Sequence, residues 1–319
     1  MKGVFLATWR AVSDERPTVI AVLGPTATGK SALALTLAER FGGEIVSADS
    51  RLVYRGMAIG TAKPTPDERA RVPHHLIDVT TPDAPYDLAR WKAEATRTIA
   101  AIHARGVMPF LVGGTAQYTT ALLDGWEPPT VPPDPEFRAQ MEARAASEGP
   151  HFLLAELAAI DPVAAERTGP NVRRIIRALE VIHATGEPFS AQRRTAVKPY
   201  SDLRLGLSLP RATLYARIDR RVDSMVEHGL IDEVTALLAA GYAPTLPAMS
   251  GIGYAQVVEY LAGGGTFNMM CERIKQATHR YARHQWTWLR RDPSIVWLDA
   301  QHTERLNDAA ARAVGQFLL

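Results

Sequence analysis

Gly24-Pro25-Thr26-Ala27-Thr28-Gly29-Lys30-Ser31 is the stretch that decides how this chain folds. The eight residues fit G-x-x-x-x-G-K-[ST], the pattern of a loop that cradles phosphate groups. Before it, Thr18-Val19-Ile20-Ala21-Val22-Leu23 is a short apolar run that predicts a buried strand. After it, Ser31 to Arg40 has helical character and reaches Gly42 and Gly43. Strand, glycine loop and helix start together place backbone N–H groups where they can hold phosphate oxygens. On this reading Gly24, Thr26, Ala27, Thr28, Gly29, Lys30 and Ser31 form a diphosphate-binding loop. Lys30 adds a point charge for the terminal phosphates, and the Ser31 hydroxyl can reach Mg²⁺. The loop says polyphosphate; it does not say which one, or which bond breaks.

A chain of 319 residues predicts two domains, or one large domain with an insertion. Its 46% hydrophobic and 22% charged residues suit a globular protein with a sizeable core. The net charge of +2 is nearly neutral, yet arginines cluster in the second half: Arg173/Arg174/Arg177, Arg193/Arg194, Arg217/Arg220/Arg221 and Arg280/Arg283/Arg290/Arg291. Such clusters predict a local basic surface despite the overall balance. The single cysteine, Cys271, excludes an intramolecular disulfide and a cysteine-based zinc site. No histidine pair has convincing metal-ligand spacing. No apolar stretch approaches membrane length, and Met1 to Pro17 does not read as a signal peptide. A reducing, cytoplasmic setting without membrane association is expected.

The first 125 residues alternate short apolar runs with helical patterns. Glu44–Ser47 reads as a second strand ending at Asp49, Leu76–Val79 as a third, and Val107–Val112 as another running into Gly113-Gly114-Thr115. Tyr86 to Arg105 reads as an amphipathic helix. Alternating β and α units predict an α/β fold, a P-loop-type parallel sheet with helices on both faces. Ligands of such sheets sit beyond the carboxyl ends of the strands, so Gly24, Asp49 and Thr115 should converge. The prolines of Pro128–Pro135 then mark a stiff boundary. The expected organisation is an α/β core over 1–127, a small helical insertion over 128–200, and a return to the core over 201–319, mainly helical. In that last part Leu203–Leu209 alternates like a strand. Thr213–Leu238, Gly253–Leu261 and Met269–Arg291 read as helices.

Asp49, in Ser47-Ala48-Asp49-Ser50-Arg51, has two sensible roles beside a polyphosphate. It can hold Mg²⁺ through water, or take a proton from an incoming nucleophile. A plain helix N-cap is the alternative. ATPases of this fold class usually add a strand-end aspartate for Mg²⁺. Val112 runs instead into glycines, which favours a transferase that grips a diphosphate. Arg217 and Arg221 lie four apart on one helix face and predict a clamp for diphosphate or nucleic-acid backbone, or else a solvated face paired with Asp219 and Asp223. On Met269–Arg291, the stripe Ile274, Ala277, Tyr281 and Trp288 predicts the inward face. The interleaved arginines and aromatics suit RNA.

The set of motifs resembles one family, bacterial tRNA dimethylallyltransferase, also called tRNA isopentenyltransferase. The matching stretches are 24–31, Ser47–Tyr54, Gly60-Thr61-Ala62-Lys63-Pro64, Pro73–Asp78, Leu111–Thr115, Arg177–Val181, Gly251-Ile252-Gly253-Tyr254 and Gln285–Arg290, in family order. The resemblance implies transfer of a dimethylallyl group from dimethylallyl diphosphate to N6 of the adenosine 3′-adjacent to the anticodon, with Mg²⁺ and release of diphosphate. It makes Asp49 the general base, with Lys30 and Arg221 as catalytic contacts to the diphosphate. It turns Asp49, Ser50, Arg51, Leu52, Thr115, Arg138, Arg173, Arg174, Ile175, Ile176 and Arg177 toward the anticodon stem-loop of tRNA. His279 and His284 depart from the pattern, since those positions are commonly arginine. A monomer is expected. A nucleotide-kinase-like phosphotransferase, a non-catalytic RNA-binding protein and a prenyltransferase of free adenine nucleotides are the competing readings. The arginine-rich second half argues against the first and last, and retention of Asp49 and Lys30 against the second.

Overall fold

The computed structural model describes residues 16–192 and 197–319. The reading of Met1 to Pro17 therefore falls almost wholly outside the described residues, and Arg193/Arg194 lie outside them too. Six described strands form one sheet: β1 (Thr18–Leu23), β2 (Gly43–Ser47), β3 (His74–His75), β4 (Met108–Gly113), β5 (Ser201–Ser208) and β6 (Ile295–Asp299). Their spatial order is β3-β2-β4-β1-β5-β6, and every neighbouring pair is parallel. β1 lies in the interior of the sheet, with Ile20 opposite Phe110 on one side and Leu203 on the other. Its apolar run is continuous because both faces are covered.

Val19, Ala21 and Leu23 pack with Trp91, Ile99 and Ile102 of α3 (Leu88–Ala104) and with Tyr118 and Leu122 of α4 (Ala116–Leu123). Ile20 and Val22 pack on the opposite face with Leu33 and Leu37 of α1 (Lys30–Phe41) and with Ala310 and Val314 of α13 (Thr303–Phe317). A third core lies among α9 (Arg211–Glu227), α10 (Leu230–Ala239), α11 (Tyr254–Leu261) and α12 (Phe267–Leu289). It takes in Val53 and Met57 from the segment that leads to α2 (Pro66–Arg71).

The chain separates into two compact units, divided at 123/124 and 197/198. The smaller unit holds α5 (Pro135–Glu148), α6 (Pro150–Ile160), α7 (Pro162–Thr168) and α8 (Val172–Thr185). Its own core is built from Met141, Leu153, Leu157, Ile175, Ile176 and Leu179.

Three expectations about local structure need correction. Leu76–Val79 is not a strand: Leu76 and Asp78 sit at φ 61° and 58°, in the left-handed region, which breaks extended pairing. The helix expected over 213–238 is two helices, because Gly229 at φ 95° turns the chain between α9 and α10. On α12 Ile274 faces inward as expected, but the second half of the inward face is shifted from the expected stripe. Ala282, Gln285 and Leu289 are buried, whereas Tyr281 and Trp288 are 37% and 43% exposed.

Candidate active site

The phosphate loop leaves β1 at Gly24, whose φ of 149° and 2.9 Å clearance between a would-be Cβ and the Leu207 carbonyl both require glycine. Within the loop, Thr28 Oγ1 and Lys30 Nζ each donate to the Pro25 carbonyl, at 2.8 and 2.7 Å. Gly29, at φ 97°, opens α1, and no described side chain caps that helix. Its first-turn N–H groups are thus free to meet an anion. The Thr26 N–H is already taken: it donates to Gln285 Oε1 at 2.8 Å.

Lys30 is half-buried, close to Arg221. Burial first, and the Arg221 charge second, bring its pKa down to about 7, against the opposing pull of Asp49. Burial also lowers the Arg221 pKa, again opposed by Asp49. Two cations are thus held together with one carboxylate, an arrangement that a polyanion would stabilise.

Asp49 follows β2 and opens a turn rather than a helix: its Oδ1 accepts the Arg51 N–H at 2.8 Å. That removes the N-cap alternative. The Ser50 N–H donates to Thr115 Oγ1 at 3.2 Å. Burial raises the pKa of the nearby Tyr281 hydroxyl, although part of that residue is exposed. Arg51 reaches the Pro247 carbonyl at 2.7 Å, the Ala248 carbonyl at 3.3 Å and Ser250 Oγ at 3.4 Å, so its guanidinium props the loop before Gly251. Leu52 is half-buried, and its carbonyl accepts the Asp78 N–H.

These parts enclose a cavity of about 300 Å³. Thr26 and Ala27 form its loop wall, Asp49 and Ser50 its acidic wall, and Arg221 its cationic wall. Ile218, Val222, Met225, Ile252 and Ile274 give it an apolar flank. A wider groove of about 960 Å³ shares Arg221 and Met225 and includes Lys63, Arg69 and Asp78. There Asp78 accepts from Lys63 at 2.6 Å and Arg69 at 2.8 Å, so it is committed to an ion pair. A groove of about 480 Å³ along α13 shares none of these residues.

Of the expected arginine pair, only Arg221 lines the cavity. Arg217 donates instead to the Ala300 carbonyl at 3.3 Å. Asp219 and Asp223 pair across to α12, with His279 at 2.8 Å and Lys275 at 2.7 Å. The candidate oxygen donors for Mg²⁺ are the Ser31 hydroxyl and Asp49. Among the described residues no group of three or more acidic, histidine or cysteine side chains could hold a metal. So sparse a donor set fits Mg²⁺, which keeps its waters and binds through substrate phosphates with one or two protein oxygens.

Three residues at this site escaped the sequence analysis as individuals. Gln285 joins the phosphate loop to the turn after β4. Glu233 of α10 accepts the N–H groups of Ala58, Ile59 and Gly60 at 2.7, 2.8 and 3.2 Å, and the Tyr254 hydroxyl at 2.6 Å. The Tyr254 ring fills the space a side chain at Gly60 would need. Gln285 and Tyr254 lie in motif stretches, which was a usable signal; nothing in the sequence marks Glu233.

The helical unit revises the expected RNA contacts. Ile175 and Ile176 are 0% and 3% exposed and belong to its core, because α8 turns its apolar stripe inward there. They offer no surface to RNA. Buried Glu180 accepts from Arg138 Nε at 2.7 Å and Nη2 at 2.8 Å, from the Asp134 N–H at 2.8 Å and from Arg177 Nη1 at 2.5 Å. Burial opposes ionisation, but these donors prevail and hold its pKa down to about 2. Arg138 and Arg177 thus serve the unit's own structure. Arg173 and Arg174 are exposed.

Known proteins resemble this chain along most of its length. A family model described as IPP transferase matches residues 52–292, and one described as isopentenyl transferase matches 17–78. A tRNA dimethylallyltransferase of Roseiflexus is 52% identical over 301 residues, covering 94% of this chain and 98% of the relative. Another, of Thermomicrobium roseum, is 50% identical over 305 residues, covering 94% and 93%. Among solved structures, the full-length tRNA isopentenylpyrophosphate transferase of Bacillus halodurans superposes with a TM-score of 0.72 at 38% identity, covering 95% and 97%. A eukaryotic dimethylallyltransferase acting on tRNA gives 0.77 at 28% identity, covering 93% and 78%.

Proposed function

The chain belongs to the tRNA dimethylallyltransferase family, and we infer that its 300 Å³ cavity is where a dimethylallyl group passes from dimethylallyl diphosphate to an adenosine of tRNA. The acceptor atom is N6 of the adenosine next to the anticodon on its 3′ side, and diphosphate is released. One observation carries the reading: Asp49, Arg221 and the phosphate loop meet beside an apolar flank of Ile218, Val222, Met225, Ile252 and Ile274.

The chemistry follows from those walls. The free N–H groups at the start of α1 and the Lys30 and Arg221 cations bind the diphosphate and stabilise the charge that grows on it as the allylic C–O bond breaks. The adenine amine is a weak nucleophile because its lone pair is conjugated. As the new N–C bond forms, the Asp49 carboxylate takes the N6 proton. The base must leave the anticodon-loop stack to reach Asp49. Ile218, Val222 and Ile274 exclude water from the allylic carbon, which protects it from hydrolysis. Mg²⁺, held by Ser31 and the diphosphate, would supply further charge neutralisation at the leaving group. Among the described residues no helix is long and apolar enough to cross a membrane. One free cysteine suits a reducing, cytoplasmic setting.

The test is direct. The protein is incubated with dimethylallyl diphosphate, Mg²⁺ and total tRNA, and the digested RNA is searched by mass spectrometry for prenylated adenosine. Absence of the product, with ATP-dependent phosphorylation in its place, would reject the reading.

A further inference from the structure

Gln285 is a polar residue buried at 6% exposure, on a helix whose other inward positions are apolar. Such a side chain is costly unless both ends are satisfied. Both are. Its Oε1 accepts the Thr26 N–H and its Nε2 donates to the Gly114 carbonyl, each at 2.8 Å. The amide therefore bridges the phosphate loop and the turn after β4, two segments that share no hydrogen bond through any other described side chain. The turn is shaped to receive it: a Cβ on Gly114 would lie 2.1 Å from Nε2. Thr115, the residue after Gly114, in turn holds the Ser50 N–H beside Asp49. Gln285 thus ties the diphosphate loop to the turn whose next residue holds the acid's loop.

We propose that Gln285 is a positioning residue for the diphosphate site: it sets the phosphate loop through Thr26 and locks that loop in register with the acid's loop. The proposal rests on the reading of the loop as a diphosphate site. Gln285 touches neither donor nor acceptor; it acts through the backbone of Thr26 and Gly114. Loss of its amide frees the loop to sample other conformations. The ordering cost then reappears when diphosphate binds.

The experiment uses the full chain and inorganic diphosphate with Mg²⁺ as probe, followed by calorimetry, alongside tRNA binding and steady-state transfer. Gln285→Met keeps the length and removes both hydrogen bonds. Gln285→Glu keeps an acceptor for Thr26, but as a carboxylate it cannot donate to Gly114. Gln285→Met should lose diphosphate affinity on the order of tenfold and raise KM for the allylic donor, with tRNA affinity unchanged. Gln285→Glu should show the same loss at pH 8 and approach wild type as the pH falls, because the protonated carboxyl recovers the donor. Gln285→Met should show no such recovery relative to wild type. Wild-type diphosphate affinity in both variants overturns the proposal, as does an equal loss of tRNA and diphosphate binding, which would mark a general structural role. If Gln285→Met does not fold, the pH dependence of Gln285→Glu decides alone. If the wild type itself fails to bind diphosphate, the diphosphate reading of the site falls, and the positioning role falls with it.

Discussion

Asp49 Oδ1 accepts the backbone N–H of Arg51 at 2.8 Å. That single bond fixes how the acid presents itself to the cavity, and an asparagine can make it equally well. Asp49→Asn therefore isolates basicity from geometry. Turnover should fall roughly 10²–10⁴-fold, with tRNA affinity changed far less. Normal single-turnover chemistry with lost tRNA binding would make Asp49 a positioning residue instead.

Lys30 gives a prediction about protons. Its pKa of about 7 in the free site reflects burial and the nearby Arg221 charge. A bound diphosphate brings negative charge and raises that pKa, so near pH 8 binding should be accompanied by proton uptake. Calorimetry in buffers of different ionisation enthalpy measures it. The uptake should shrink below pH 6, where Lys30 is already charged, and should be absent in Lys30→Met. The linkage to stability has a definite sign. The unfolded lysine holds its proton up to about 10.5, so between pH 7 and 10 the unfolded chain binds more protons and this group makes the free protein more stable as pH rises.

Gly113 tests the close packing at the strand ends. A Cβ there would lie 2.1 Å from the Ala48 carbonyl oxygen, which is backbone and cannot swing away. Gly113→Ala should destabilise the protein by about 3 kcal/mol, measured by denaturant unfolding. It should also displace Asp49, one residue beyond Ala48, and so lower turnover in whatever protein remains folded. Near-wild-type stability would mean that the β2 and β4 ends are looser than the structure shows.

Arg173 and Arg174 are the exposed arginines of α8, while Arg177 is committed to Glu180. Neutralising the exposed pair to glutamine should reduce the salt slope of tRNA binding by about one unit per lost phosphate contact. Stability should be unchanged. Arg177→Gln should do the reverse: it leaves Glu180 short of a donor, so the helical unit loses stability first. An unchanged salt slope in the Arg173/Arg174 double variant would remove both residues from the RNA surface.

How much was legible beforehand depended on where the information lay. The phosphate loop, Asp49 and the parallel sheet were readable because each rests on short-range pattern: a motif of eight residues, or a buried strand flanked by turn residues. Asp78 was misread as part of a strand because its left-handed backbone is tied to Lys63 and Arg69, partners that no local window contains. Ile175 and Ile176 sit between arginines in sequence, and only the packing of α8 shows that they point into the core. On α12 Ile274 was placed correctly, but Tyr281 and Trp288 each fall one position short of the buried Ala282 and Leu289. A buried glutamine does not look like a core residue until the loop it serves is in view. The β6 strand went unread because its five residues lie at the sheet's edge with only partial burial.

The register of β1 has a consequence for the chain as it is made. Thr18 pairs with Ser201, while the other side of β1 pairs with β4, through Ile20 and Phe110. During synthesis one side of this strand finds its neighbour early, and the other stays open until the whole helical unit has left the ribosome. That unit has a core of its own and can close while the strand waits. The open side of β1 is therefore exposed to wrong pairing in the newborn protein until β5 emerges.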